Sequence, residues 1–128
     1  MEMTPKTRQR AFFYLLIATV LTALAAGLSE GTFGNFYMEV YNVSPSQRGF
    51  IEFPREIPGL IAVVVISIMS FMGEIRLAIV AQLLSVVGLI LLGVFTPPFA
   101  LMLVFLFVNS LGMHMFIPLY DSLGMSLA

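Results

Sequence analysis

The sequence predicts an all-α protein, a polytopic transmembrane bundle of four spans forming a single domain over residues 1–128. Three observations lead there. Of the 128 residues, 59% are hydrophobic and only 10% charged, and mean hydropathy is +1.01; a soluble domain carries about 25% charged residues. The apolar residues come in long blocks rather than in short amphipathic repeats, the pattern of an integral membrane protein. Polar or proline-bearing breaks separate the blocks.

Each span follows from its own segment. Residues 11–38 are apolar and rich in small side chains, long enough to cross about 30 Å with some tilt. Lys6, Arg8 and Arg10 precede them. The basic start and Ala23-Leu24-Ala25 also fit a signal peptide, but Phe33, Phe36, Tyr37 and Met38 carry the apolar stretch onward. Asn42-Val43-Ser44-Pro45-Ser46 is a turn. The second helix is expected over 46–72, with Pro54 either inside it or marking its first turn. Gly73-Glu74-Ile75-Arg76 makes a tight polar connection to a third span at 77–95. Thr96-Pro97-Pro98 breaks that span, because proline removes a donor and restricts the residue before it. The fourth span covers 99–120 or further.

Orientation follows from the basic residues. Lys6, Arg8, Arg10 and Arg76 fall on one side and only Arg48 on the other, so the positive-inside rule places both termini in the cytoplasm and the chain in the cytoplasmic membrane. Tyr14, Tyr37, Tyr41 and Tyr120 lie near span ends, where interfacial aromatics collect.

The composition also excludes. With no cysteine there are no disulfides or thiolate metal sites. A net charge of −1 offers no basic surface for nucleic acid. No phosphate loop, Gly-x-Ser-x-Gly or paired His-Glu zinc motif occurs, so neither enzyme chemistry nor a cofactor is expected. The nine methionines lie among apolar residues and read as packing.

Charges within the spans are the features that need explaining, since lipid tolerates them badly and they commonly mark a transport path. On the second helix, Arg48, Glu52, Arg55 and Glu56 fall within one arc of about 100°, with Arg48–Glu52 and Glu52–Arg55 at pairing distance along the helix. On the first, Glu30 lies as far from the outer end as Arg55 does on the second. The two are expected to pair, or to reach separately to the headgroups, or Arg55 pairs with Glu52 or Glu56. Pro58-Gly59 marks a hinge in the second helix. Gly27-x-x-x-Gly31 reads as a close helix contact or as lining for a solute. His114, with Asn109 and Ser110 on the fourth helix, is read as a polar residue bonded between helices or as a proton acceptor.

Two segments carry a family resemblance. Ser44-Pro45-Ser46-Gln47-Arg48-Gly49-Phe50 with Pro54-Arg55-Glu56-Ile57-Pro58-Gly59 resembles the second helix of bacterial major facilitator superfamily transporters. Gly112-Met113-His114-Met115-Phe116-Ile117-Pro118-Leu119 with Asp121-Ser122-Leu123-Gly124 resembles their fourth. The Gly-x-x-x-Asp-Arg-x-Gly-Arg loop usual in that superfamily is reduced here to Gly73 and, loosely, Arg76; Ile66, Ser70 and Phe71 stand at its leading glycine, aspartate and arginine. The resemblance implies the first four helices of a carrier built of about twelve, with the remainder as a partner.

The expected function is therefore secondary transport of a small solute, coupled to a proton or cation. Glu30, Glu52, Arg55 and Glu56 form the pathway. Gly27, Gly31, Pro58 and Gly59 serve packing or bending, and Asn109 and His114 form a polar core. A small homodimeric four-helix exporter and a non-transporting scaffold subunit are the alternatives.

Overall fold

A computed structural model describes residues 3–128, so the expectations for residues 1 and 2 lie outside the described residues. Four helices follow one another: α1 Pro5–Tyr41, α2 Pro45–Met69, α3 Glu74–Phe95 and α4 Phe99–Leu127. All four are long and apolar enough to cross a membrane.

The helices run further than the apolar blocks because their ends are set by capping. Thr4 caps α1, its hydroxyl accepting from the Thr7 amide, and Pro5 fills the first helical position, where no amide is needed. The basic residues Lys6–Arg10 are thus helical. At the far end Asn42 enters the left-handed region with φ 47°, and its amide returns to the Met38 carbonyl. Ser44 opens α2 with a capping box: its hydroxyl accepts from the Gln47 amide, while the Gln47 side chain accepts from the Ser44 amide. Pro54 therefore lies inside α2 and does not mark its first turn.

The α-helical part of α2 ends at Met69, and the last expected residues, Ser70–Met72, tighten into a 3₁₀ turn. Gly73 follows at φ 81°, a conformation that suits glycine. The third helix starts at Glu74 rather than at 77, with an acidic side chain favourably placed in its first turn. The fourth continues through Pro118 to Leu127.

Helix α4 is the hub, packing on α3, α2 and α1. One core cluster, including Phe33, Tyr37, Ile51, Leu92, Met102 and Leu106, lies toward the α1–α2 and α3–α4 turns. A second, including Ala62, Leu77, Ala81, Met115 and Leu119, lies toward the opposite end. Lipid gives apolar helices no hydrophobic reason to associate, so close packing and interhelical hydrogen bonds must supply it. Small residues do this between α3 and α4. A Cβ on Gly88 would stand 2.5 Å from the Asn109 amide nitrogen, and one on Gly112 would collide with the Ala81 carbonyl oxygen and the Ser85 amide.

The expected contact at Gly27 and Gly31 is not formed. A Cβ at either position would meet nothing within 4 Å, and both residues are exposed on α1. The lining role has no support either, because neither glycine borders the polar cavity described next.

Candidate polar site between α1, α2 and α4

The site begins with two proline residues. Pro54 and Pro58 each lack the amide that an α-helix needs, and each ring disturbs the turn before it. The Arg55 carbonyl lies in that disturbed stretch and accepts a hydrogen bond from the Ser110 hydroxyl on α4. The α2 backbone is thereby tied to α4 at the residue whose side chain carries the charge.

From this anchor Arg55 reaches across to α1. Its Nη2 donates to both Glu30 carboxylate oxygens, at 2.9 and 3.1 Å, and Nη1 donates to Glu52 at 3.4 Å. Two of the three pairing expectations thus hold together, with Glu30 the closer partner. Arg55 is one-quarter exposed, whereas Glu30 and Glu52 are about half exposed at 53% and 47%. The pair is a partly shielded contact at the edge of the bundle, not a buried one. Glu30 lies about three helical turns from Tyr41, deeper along α1 than the apolar block alone indicates. Arg48 does not join Glu52; its guanidinium lies along α1 at Gly34, and it forms no ion pair among the described residues.

Behind the ion pair is a cavity of about 60 Å³, room for a few water molecules. Glu30 from α1, Arg55 and Glu56 from α2, and Asn109, Ser110 and His114 from α4 border it. Glu56 has no ion-pair partner among the described residues. Asn109 is buried and directs its amide nitrogen to the Ser85 carbonyl at 2.8 Å, fixing α4 against α3.

The hydrogen bonds of His114 stay within α4, to Ser110, rather than running between helices as expected. Its Nδ1 is 3.0 Å from the Ser110 carbonyl oxygen and 3.1 Å from the Ser110 hydroxyl oxygen. A carbonyl only accepts, and the single hydroxyl hydrogen of Ser110 is already given to Arg55. Nδ1 must therefore carry a hydrogen. The Cδ2–Nε2 edge of the ring lies against Gly59 so closely that a Cβ there would be 2.9 Å from Cδ2. Gly59 thus has a packing role in α2, beside the buried Pro58.

The chain therefore collects Glu30, Arg55, Glu56, Asn109 and His114 around one cavity, with Glu52 joined through Arg55 and Gly59 behind His114. Sequence reasoning missed Tyr37 as a neighbour of this cluster. It is buried and stacked on Phe33, which borders the cavity. Its position four residues from Phe33 and seven from Glu30, on one helix face, was the available signal. No cluster of metal-ligating side chains occurs among the described residues.

Comparison of the chain with family models, with curated proteins and with solved structures finds no match.

Proposed function

We propose that the chain is the N-terminal four-helix part of a secondary active carrier of major facilitator type, moving a small solute across the cytoplasmic membrane. One observation carries this reading. An arginine on α2 is paired with a glutamate on α1 at the edge of a small polar cavity, within helices otherwise suited to lipid. Ionisable side chains in such helices are costly and commonly serve a solute or ion path.

In this reading Glu30, Glu52 and Glu56 are sites for the coupling proton or cation. Arg55 holds Glu30 until a proton neutralises that carboxylate or an anionic group of the solute replaces it. Releasing the pair changes the balance between open states, and α2 bends at Pro58-Gly59 as it does so. The midplane site of such carriers is shared between two halves, so further helices, from other copies or from a separate remainder, complete the path.

A second reading, a four-helix chain working as a homodimer, draws on the exposed apolar flank of α1, where Leu16, Val20, Leu24 and Leu28 stand clear of the bundle.

Proteoliposomes containing a pH-reporting dye test the proposal. The chain alone and the complete product of its reading frame are each reconstituted and offered carboxylates, amines and sugars in turn. Solute-dependent proton movement that is lost in Arg55→Gln and recovered in the Glu30→Arg, Arg55→Glu exchange supports it. Silence from both preparations toward all three classes, or transport indifferent to both variants, overturns it. Activity of the chain alone, with a cross-linked dimer, favours the second reading.

A further inference from the structure

An apolar opening lies away from the polar cavity, between α1 and α3, with α4 as its floor. Its volume is about 550 Å³, and its walls include Leu15, Ala78 and Phe116. Among the described residues, Gln82 and Ser126 are the only polar side chains lining it, and none that line it is charged. Its wall on α1 is a single stripe: Ala11, Leu15 and Ala18 follow at spacings of four and three, all small or apolar. One turn to either side, the same stripe becomes polar. At one end Thr22 accepts a hydrogen bond from Gln82 at 2.8 Å, tying α1 to α3. At the other stands Arg8.

Arg8 is held at the rim. Its Nε donates to the Leu127 carbonyl at 3.0 Å, and Leu127 itself lines the groove. The Nη groups make no ion pair among the described residues. Lys6 and Arg10 flank it on α1, and Arg76 lies at the same end of α3. The nearby Glu74 accepts from Ser122 at 2.6 Å.

Dimensions select the occupant. From Arg8 to Thr22 the stripe rises about 21 Å, half of the 40–45 Å bilayer with its headgroups. The lined stretches of α3 and α4 each rise about 16 Å, one leaflet of the roughly 30 Å hydrocarbon core. An acyl chain of one leaflet matches that length. The basic rim adds charge complementarity for a phosphate, since juxtamembrane Lys and Arg attract anionic lipid.

We propose that the α1–α3 groove binds one anionic phospholipid, its acyl chain along Leu15, Ala78 and Phe116 and its phosphate on Arg8. The site is independent of the polar cavity and of any transport.

The chain contains no tryptophan, so one introduced residue reports alone. Leu83→Trp places the reporter on the groove wall, and Leu28→Trp places a control on α1, where Leu28 is 71% exposed. Both are reconstituted in nanodiscs carrying a minor fraction of brominated-acyl phosphatidylglycerol or brominated-acyl phosphatidylcholine. The expected result is a preference of about fivefold for the anionic lipid in quenching Leu83→Trp. Arg8→Gln removes that preference, and Leu28→Trp shows none. Two results overturn the proposal: a groove reporter shielded from both lipids, which means that protein covers the site, or equal quenching by both lipids with no effect of Arg8→Gln. If Leu83→Trp loses its helical circular dichroism, Ile79→Trp reports from the same wall.

Discussion

The hydroxyl of Ser110 on α4 donates its hydrogen bond to the backbone carbonyl of Arg55 on α2. Proline makes this bond useful. Pro58 has no amide to offer the Pro54 carbonyl, and the Arg55 carbonyl lies next to it in the same loosened turn, where a donor from α4 steadies the break. Ser110→Ala should destabilise the bundle by about 0.6–1.7 kcal/mol, the range found for interhelical hydrogen bonds in membranes. Ser110→Thr, which keeps the hydroxyl, should lose less. Equilibrium unfolding in mixed detergent micelles measures both, and equal losses for the two variants would remove the hydrogen bond as the cause.

The Arg55–Glu30 pair should contribute little to stability compared with its part in the proposed function. Glu30 is about half exposed and Arg55 one-quarter exposed, so the pair is not sealed within the bundle. A double-mutant cycle with Glu30→Gln and Arg55→Gln should give a coupling of about 1 kcal/mol or less in detergent. A coupling of several kcal/mol would mean that the pair is sealed from water in the assembled protein.

Glycine substitutions should separate packing positions from exposed ones. Gly112→Ala drives a methyl group into the Ala81 carbonyl, and Gly88→Ala meets the Asn109 backbone. Neither obstacle is a flexible side chain that can swing away. Each change should cost about 1–3 kcal/mol by overpacking. Gly27→Ala and Gly31→Ala meet open space and should be neutral, or stabilising by up to about 1 kcal/mol through helix propensity. Thermal unfolding of the four single variants provides the comparison. A loss at Gly27 or Gly31 would reveal a contact made only in a larger assembly.

These glycines also show what the sequence could and could not disclose. The four spans were legible because the length of an apolar block is a local property. Pairing of Glu30 with Arg55 was legible because a short turn holds α1 and α2 in register, so equal distances from that turn become equal heights. Glycine roles were not legible in the same way. Gly27 and Gly31 have the spacing of a contact motif, but spacing does not say whether a helix lies opposite. The glycines that pack closely, Gly88 and Gly112, are on different helices, and each acquires its role only when α3 meets α4. Helix ends were less legible: the Thr4 cap carries α1 through basic residues that hydropathy assigns to water, α3 begins at Glu74 directly after Gly73, and α2 stops at Met69, short of the expected 72.

His114 should be found with its hydrogen on Nδ1. Ser110 gives its hydroxyl hydrogen to Arg55, so neither Ser110 oxygen has one to offer the imidazole. The chain has a single histidine, so nitrogen-15 labelling of histidine yields one ring to assign. Under conditions where that ring is neutral, the one-bond proton coupling should appear on Nδ1 and be absent from Nε2. In Ser110→Ala the Ser110 hydroxyl is gone, but the backbone carbonyl at position 110 still accepts from Nδ1, so the tautomer should persist. Gly59→Ala tests the other edge of the ring. Its methyl group would stand 2.9 Å from Cδ2 and 3.2 Å from Nε2, so the ring must turn, and the Nδ1 hydrogen bond should weaken and its proton exchange faster with water. Finding the hydrogen on Nε2 in the unaltered chain would mean that Nδ1 accepts rather than donates. The Ser110 hydroxyl would then have to leave the Arg55 carbonyl for the imidazole, undoing the tie between α2 and α4.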